Sequence, residues 1–480
     1  MPAQEARRVK NLQTVSTTTE SLVAGGAADS GVASGVASTH GVFEQLESEV
    51  RSYSRAWPVI FDWARGARLQ DTDGNTYIDF FSGAGALNYG HNHPVLKRAL
   101  LDYLAEDRVI HSLDMNTVAK AELLERLREV VFEPRGLSYR VQFPGPTGTN
   151  AVEAALKLAR KVTGRKQIVS FTNAFHGMTL GSLSVTANSM KRSGAGVSLN
   201  DSTHLPYCSF LDDDFDSIHI LEALIEDSGS GLDLPAAVIV ETVQGEGGVN
   251  VASVPWLQRL AGLCAAREIL LIVDDVQMGC GRTGPFFSFE DAGIVPDIVV
   301  LSKSLSGIGL PLALTLIRPE LDVWEPGEHN GTFRGNNPAF VTATAALSMW
   351  QEGGCPEGRV AEVNQDGHAP AEGGIEGMVR ARGRIVEQAL VTIADELRSE
   401  RPDLEVDLRG KGLVWGLALP GDDIATKAAR AAFDRGVLVE TSGPNQDVVK
   451  LMPPLTVSVD DELMPGLEIL AEAIRTVVRL

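Results

Sequence analysis

The sequence predicts an α/β protein: a large domain on a mainly parallel sheet and a smaller α/β domain beside it. Three observations predict this. Between about residues 140 and 320, short β-branched runs alternate with stretches of helical periodicity. Those runs are almost wholly apolar, as strands covered on both faces are. Beyond Ile385 a second, shorter round of helices and strands begins.

Taken in order, residues 1–40 are rich in Ala, Gly, Ser and Thr and poor in large apolar side chains. They are expected to form a disordered N-terminal arm. Residues 41–100 are expected to contribute the N-terminal part of the small domain. There, the turn signal Asp71-Thr72-Asp73-Gly74 separates Ala67-Arg68-Leu69 from Tyr77-Ile78-Asp79-Phe80 and predicts a β-hairpin. Residues 101–350 form the large domain. Its expected strands are 168–171, 237–241, 269–274 and 298–301, and its expected helices are 150–162 and 255–267. Residues 351–376 are rich in Gly, Glu and Pro and read as a loop or insertion. Residues 377–480 complete the small domain, with a helix to Leu397, a strand over 413–418, a helix over 424–433, strands over 437–440 and 448–452, and a final helix.

Composition narrows the function. With 480 residues, and ~150 per domain as a prior, the chain has room for two or three domains. Acidic residues outnumber basic ones, 63 to 42, for a net charge of −21, so a nucleic-acid partner is not expected. Apolar runs such as 269–273 are far too short to cross a bilayer. The four cysteines show no paired or metal-like spacing, which suits a reducing cytoplasm and gives no reason to expect a metal.

Three motifs carry chemistry. Gly145-Pro146-Thr147-Gly148-Thr149-Asn150 precedes a helical run. Small residues allow close backbone approach, and a helix N-terminus attracts phosphate, although a plain turn before a helix would read the same way. Asn150 is expected to cap this helix, with Glu153 as its capping-box partner. Asp274-Asp275-Val276-Gln277 ends a strongly apolar run. A carboxylate at such a strand end serves as a metal ligand, a ribose ligand, a partner for a protonated ring nitrogen, or simply a helix cap. Lys303 follows another buried run. Burial lowers a lysine pKa and frees the amine as a nucleophile, the alternative being a solvated loop lysine. Pyridoxal phosphate is the cofactor that needs all three: a phosphate site, an acid at the pyridinium nitrogen and a Schiff-base lysine.

With Asp274 to Gly284, Leu301-Ser302-Lys303, Glu241 to Gly248 and Gly331-Thr332-Phe333-Arg334-Gly335-Asn336, the chain resembles the class III, or ω-amino-acid, pyridoxal-phosphate aminotransferases over roughly residues 43–475. More narrowly, Gly83 to His91, Gln142 to Arg160 and Pro326 to Asn336 resemble the diaminobutyrate–2-oxoglutarate aminotransferases of ectoine and siderophore biosynthesis. The resemblance implies fold type I and transfer of an amino group between glutamate/2-oxoglutarate and a short amino acid such as aspartate 4-semialdehyde. An alternative on the same scaffold is γ-elimination, replacement or carbon–carbon bond formation in secondary metabolism.

The resemblance also implies roles. Lys303 would carry the Schiff base and shuttle the proton. Asp274 would pair with the pyridinium nitrogen, and Gln277 would lie near the ring hydroxyl. Gly148 and Thr149 would hold the phosphate. Phe175, in Phe175-His176-Gly177, would stack on the ring, with His176 beside it and Glu241 behind the cofactor. Thr332 would reach the phosphate of a second subunit, making a homodimer with shared sites, with pairing into a tetramer open. Tyr53 would orient substrate. Glu246 and Lys450 would form a switch between the two substrates. The chain departs from the family pattern at Asp275, where the family carries glutamate, at Lys450, where it carries arginine, and at Ile308, where the subgroup tends to an aromatic.

Overall fold

A computed structural model describes residues 40–211, 215–351, 374–421 and 423–479. The expected N-terminal arm, up to residue 39, and residues 352–373 of the expected insertion lie outside the described residues. The last three residues of that insertion, 374–376, open the helix Gly374–Glu400, whose buried Val379, Val386, Leu390, Ile393 and Leu397 recur at helical spacing.

Contacts divide the chain after Arg55. In the N-terminal unit the described residues include the helix His40–Leu46. The unit that begins at Ala56 carries the sheets.

Among its described residues, a seven-stranded sheet runs in the spatial order Arg140–Gln142, Leu314–Ile317, Ile298–Leu301, Leu270–Asp274, Ala237–Val240, Ile168–Phe171 and Ser202–Leu205. All of its strands are parallel except Leu314–Ile317, which is antiparallel to both neighbours. Alternate residues face opposite cores, as the strand period requires. Val238, Val240, Leu271, Val273, Val299 and Leu301 enter one. Ile239, Ile272, Ile298 and Val300 enter the other, together with Ala151, Ala155 and Leu158 of the helix Gly148–Thr163. Both faces are therefore apolar, and the strands read as continuous runs rather than alternations.

The expected hairpin is present, with Leu69 opposite Tyr77 and Gln70 opposite Thr76. Asp71 sets its turn by accepting bonds from the Asp73 and Asn75 amides, at 3.0 and 2.8 Å. The second hairpin strand also pairs in parallel with Val437–Leu438, so the two ends of the unit share a sheet. Ala67, Ile78 and Phe80 enter the same core as Leu417, Leu451 and Leu470. A further antiparallel sheet runs Asp407–Lys411, Val414–Ala418, Val448–Leu451 and Glu440–Ser442. The single strand expected over 437–440 is thus two strands in two different sheets.

Candidate active site

Parallel strands bring their C-terminal ends to one edge, and that edge is where chemistry collects in open α/β sheets. Asp274 ends the central strand. Glu241 follows Val240 on one side of it, and Lys303 follows Leu301 on the other. Phe175 and His176 lie in the loop after Phe171. A cavity of about 350 Å³ opens there, and Gly148, Thr149, Phe175, His176, Glu241, Glu246, Asp274, Gln277 and Lys303 all line it.

The phosphate turn differs in detail from its expectation. The helix begins at Gly148, capped by Thr147, and Asn150 is the residue that reaches back, its Oδ1 accepting from the Thr147 amide at 3.2 Å. Glu153 is one turn too far along to box the cap. It accepts instead from the Thr179 hydroxyl at 2.6 Å and the Ser182 amide at 3.0 Å. Thr149 Oγ1 lies 2.7 Å from Thr179 Oγ1 and 2.9 Å from Ser182 Oγ. A side chain at Gly148 would come within 3.0 Å of Val276 Cγ1. Gly177 has φ +126°, and a Cβ there would meet Thr149 Oγ1 at 2.4 Å. Both glycines let neighbouring segments pack closely at the helix start.

Asp274 and His176 are both buried, and His176 Nδ1 donates to Asp274 Oδ2 across 2.7 Å. Burial disfavours a charged His176 ring, but the Asp274 bond and the field of Glu241 outweigh it and hold the pKa above the ordinary value. Glu241 is pushed the other way for a carboxylate: burial raises it well above the usual range against the pull of His176, Asp274 adds to the rise, and the Phe175 amide donating to it at 2.9 Å opposes it. The ammonium of Lys191 lies 4.1 Å from the Phe175 ring centroid.

Lys303 sits in left-handed backbone, φ +48°, at the start of a short 3-10 turn. Burial lowers its pKa, and the Lys450 charge lowers it further against the opposing pull of Glu246. Ser304 Oγ donates to the Gly85 carbonyl at 2.5 Å, and Gln277 Nε2 donates to the Ala84 carbonyl at 3.0 Å. The Gly83 to His91 segment is thereby held against the lysine loop.

Lys450 is buried completely and is not among the cavity-lining residues. Its Nζ lies 2.8 Å from Glu246 Oε1 and 2.9 Å from Glu440 Oε1. Gln277 Nε2 also donates to Glu246 Oε1, at 3.1 Å. Despite burial, these neighbours hold Glu246 far below the usual carboxylate range and Lys450 above the usual lysine value. Glu440 is the site residue that sequence reasoning missed. It was legible only as the end of a strand, because its partnership with Lys450 depends on cross-strand register.

Thr332 lies outside the cavity lining, in the turn Thr332–Arg334, where its carbonyl accepts from His111 Nε2 at 2.7 Å. Tyr53, in the N-terminal unit, begins the short helix Tyr53–Ala56 and is 45% exposed.

These groups suit pyridoxal phosphate on their own chemistry. The cavity offers an open helix start, a buried carboxylate at a strand end and a lysine whose amine is driven towards neutrality. Among the described residues, the buried Gln277 Oε1 has no hydrogen-bond partner, leaving an acceptor for a ligand hydroxyl. Fold and site together define an enzyme that performs amine chemistry on a lysine-bound cofactor.

The comparisons agree. A model of the family "Aminotransferase class-III" matches residues 51–365. A diaminobutyrate–2-oxoglutarate transaminase of Nocardia farcinica is 60% identical over 91% of this chain and 94% of its own length. One from Streptomyces coelicolor is 57% identical over 90% of this chain and 97% of its own. Among solved structures, the ornithine aminotransferase of Toxoplasma gondii superposes with a TM-score of 0.75 at 25% identity, covering 92% of this chain and 94% of that one. The chain belongs to the class III aminotransferases, pyridoxal-phosphate enzymes of fold type I that act on small amino and oxo acids. No helix among the described residues is long and apolar enough to cross a membrane.

Proposed function

We propose that the enzyme moves the amino group of glutamate to the terminal carbonyl of aspartate 4-semialdehyde, giving 2,4-diaminobutyrate and 2-oxoglutarate. The observation that carries this is the 60% identity, over nearly the full chain, to an enzyme named for diaminobutyrate and 2-oxoglutarate.

Pyridoxal phosphate, when bound, supplies a ring that spreads the negative charge left on a substrate carbon after its proton is removed. The chain's residues do the rest. Gly148 and Thr149 bind the phosphate at the helix start. Phe175 packs on the ring, and Gln277 orients its hydroxyl. Asp274 keeps a carboxylate towards the ring nitrogen, and the His176 N–H fixes the direction of that carboxylate. Glu241, its pKa raised by burial, lies behind the ring. Lys303 would hold the resting cofactor through its Nζ and, when that amine is free, would take and return the substrate proton there; its lowered pKa favours the neutral amine. Glu246 covers Lys450 when an uncharged chain end is near Lys303 and uncovers it when the α-carboxylate of glutamate is there. Tyr53 orients the substrate.

The active unit is a homodimer in the cytoplasm, with Thr332 of each subunit reaching the phosphate held by the other, and the product feeds secondary metabolism. The test is a screen of amine donors and carbonyl acceptors with purified holoenzyme, products read by mass spectrometry. Glutamate with aspartate 4-semialdehyde is expected to give the fastest exchange. Failure to form 2-oxoglutarate from glutamate with any acceptor would overturn the assignment.

A further inference from the structure

A buried ammonium that serves one mobile carboxylate has a difficulty. When that carboxylate leaves, the charge stands uncompensated in a low-dielectric site, and such states are strongly disfavoured. Lys450 is completely buried, so the difficulty applies to it. Its two carboxylates are unlike each other. Glu246 comes from the glycine-flanked turn Gly245-Glu246-Gly247, has its side chain 23% exposed and lines the cavity. Glu440 is 7% exposed, stands directly opposite Lys450 across two antiparallel strands and does not line the cavity. One carboxylate is built to meet a ligand; the other is fixed by sheet register.

We propose that Glu440 is a positioning residue for the substrate switch: it retains Lys450 in place and charged while Glu246 turns away, and so permits the site to accept a dicarboxylate. This rests on the transaminase reading above. An ammonium carries three N–H donors that spread in different directions. Two of them reach Glu440 and Glu246 at 2.9 and 2.8 Å. When Glu246 withdraws, its donor passes to the incoming α-carboxylate of glutamate, while the bond to Glu440 persists throughout. Lysine at 450, in place of the planar fork of arginine, suits this arrangement, because a point charge can share itself between a fixed and an exchanging carboxylate. With Glu440 neutralised, Lys450 would have Glu246 as its one carboxylate. Glu246 would then stay clamped, and the dicarboxylate would be excluded.

The test uses holoenzyme and glutarate, an unreactive dicarboxylate, titrated by the change in the cofactor's absorbance, alongside single-turnover reaction with 2,4-diaminobutyrate. Glu440→Gln should weaken glutarate binding about tenfold or more, by trapping the buried Glu246–Lys450 pair. It should slow the diaminobutyrate half-reaction far less. Glu440→Asp keeps the charge but shortens the reach. It should weaken glutarate binding to an intermediate degree, and it supplies the reading if the Gln variant fails to fold. Glutarate binding equal to wild type in a folded variant would overturn the proposal, as would equal damage to both measurements. Glutarate binding does not require turnover, so this outcome is separable from the case in which wild-type enzyme proves inactive towards diaminobutyrate.

Discussion

His176 Nδ1 and Asp274 Oδ2 lie 2.7 Å apart in a pocket where the two residues are 3% and 5% exposed. Asp274 Oδ1 accepts from the Val276 amide at 3.1 Å, so the carboxylate is held from two sides. A carboxylate fixed this way stabilises charge that develops during reaction more than charge already present in the ground state. Asp274→Asn should therefore lower kcat by about 10²–10³, with KM changed much less. Steady-state kinetics on the purified variant checks this. An unchanged kcat would reduce Asp274 to a structural cap.

The same pair makes a pH prediction. The folded chain holds the His176 pKa above 6.5. Its protonated form then contributes stability that is complete below the unfolded pKa and is lost as pH rises through the folded value. Urea unfolding of cofactor-free wild type and His176→Gln from pH 6 to 9 should show a stability difference that shrinks with rising pH. A difference that grew would reverse the assignment.

Arg282 is among the largest fully buried side chains of the described residues. It donates to the Leu413 and Pro453 carbonyls at 2.9 and 2.5 Å and to Asn88 Oδ1 at 2.6 Å. Burial lowers its pKa to about 9. These bonds tie the loop after Asp274 to the N-terminal and C-terminal segments of the unit. Arg282→Met should cost on the order of 3 kcal/mol, because it removes charge-assisted bonds and strands three buried acceptors. Lysine should not restore it, having no planar fork. Chemical denaturation of both variants decides.

The chemistry of the site was legible in the sequence where it follows directly from local pattern. Asp274 and Lys303 end or follow apolar runs, and two parallel neighbours necessarily present their ends together. Strand Leu314–Ile317 was not legible, because it follows the lysine loop and returns antiparallel, breaking the strand–helix rhythm. Strand Ser202–Leu205 lies at the sheet edge and carries serine, threonine and histidine, so it lacks an apolar signature. Composition points to Asn150 as the helix cap, whereas Thr147 is the cap; both residue types are favoured there, so composition alone does not separate them. Glu440 escaped because nothing local announces a carboxylate paired with a lysine on the next strand.

Thr332 stands outside the cavity of its own chain. If it serves a second subunit, Thr332→Ala should release the cofactor more readily on dialysis without changing the Lys303 loop. Mixing Lys303→Ala with Thr332→Ala subunits should restore activity, because heterodimers contain one site free of both lesions. Mixtures no more active than the sum of their parts would contradict shared sites.

Under the proposed function, Lys303 and its cavity pass nitrogen from glutamate to the terminal carbon of a short amino acid. Incubating holoenzyme with glutamate labelled with heavy nitrogen and with aspartate 4-semialdehyde measures this directly. The expected result is 2,4-diaminobutyrate labelled at the 4-amino group alone, with one 2-oxoglutarate formed for each product molecule, and no reaction in Lys303→Ala. Consumption of the semialdehyde without transfer of the label, or label at a position other than the 4-amino group, would contradict it.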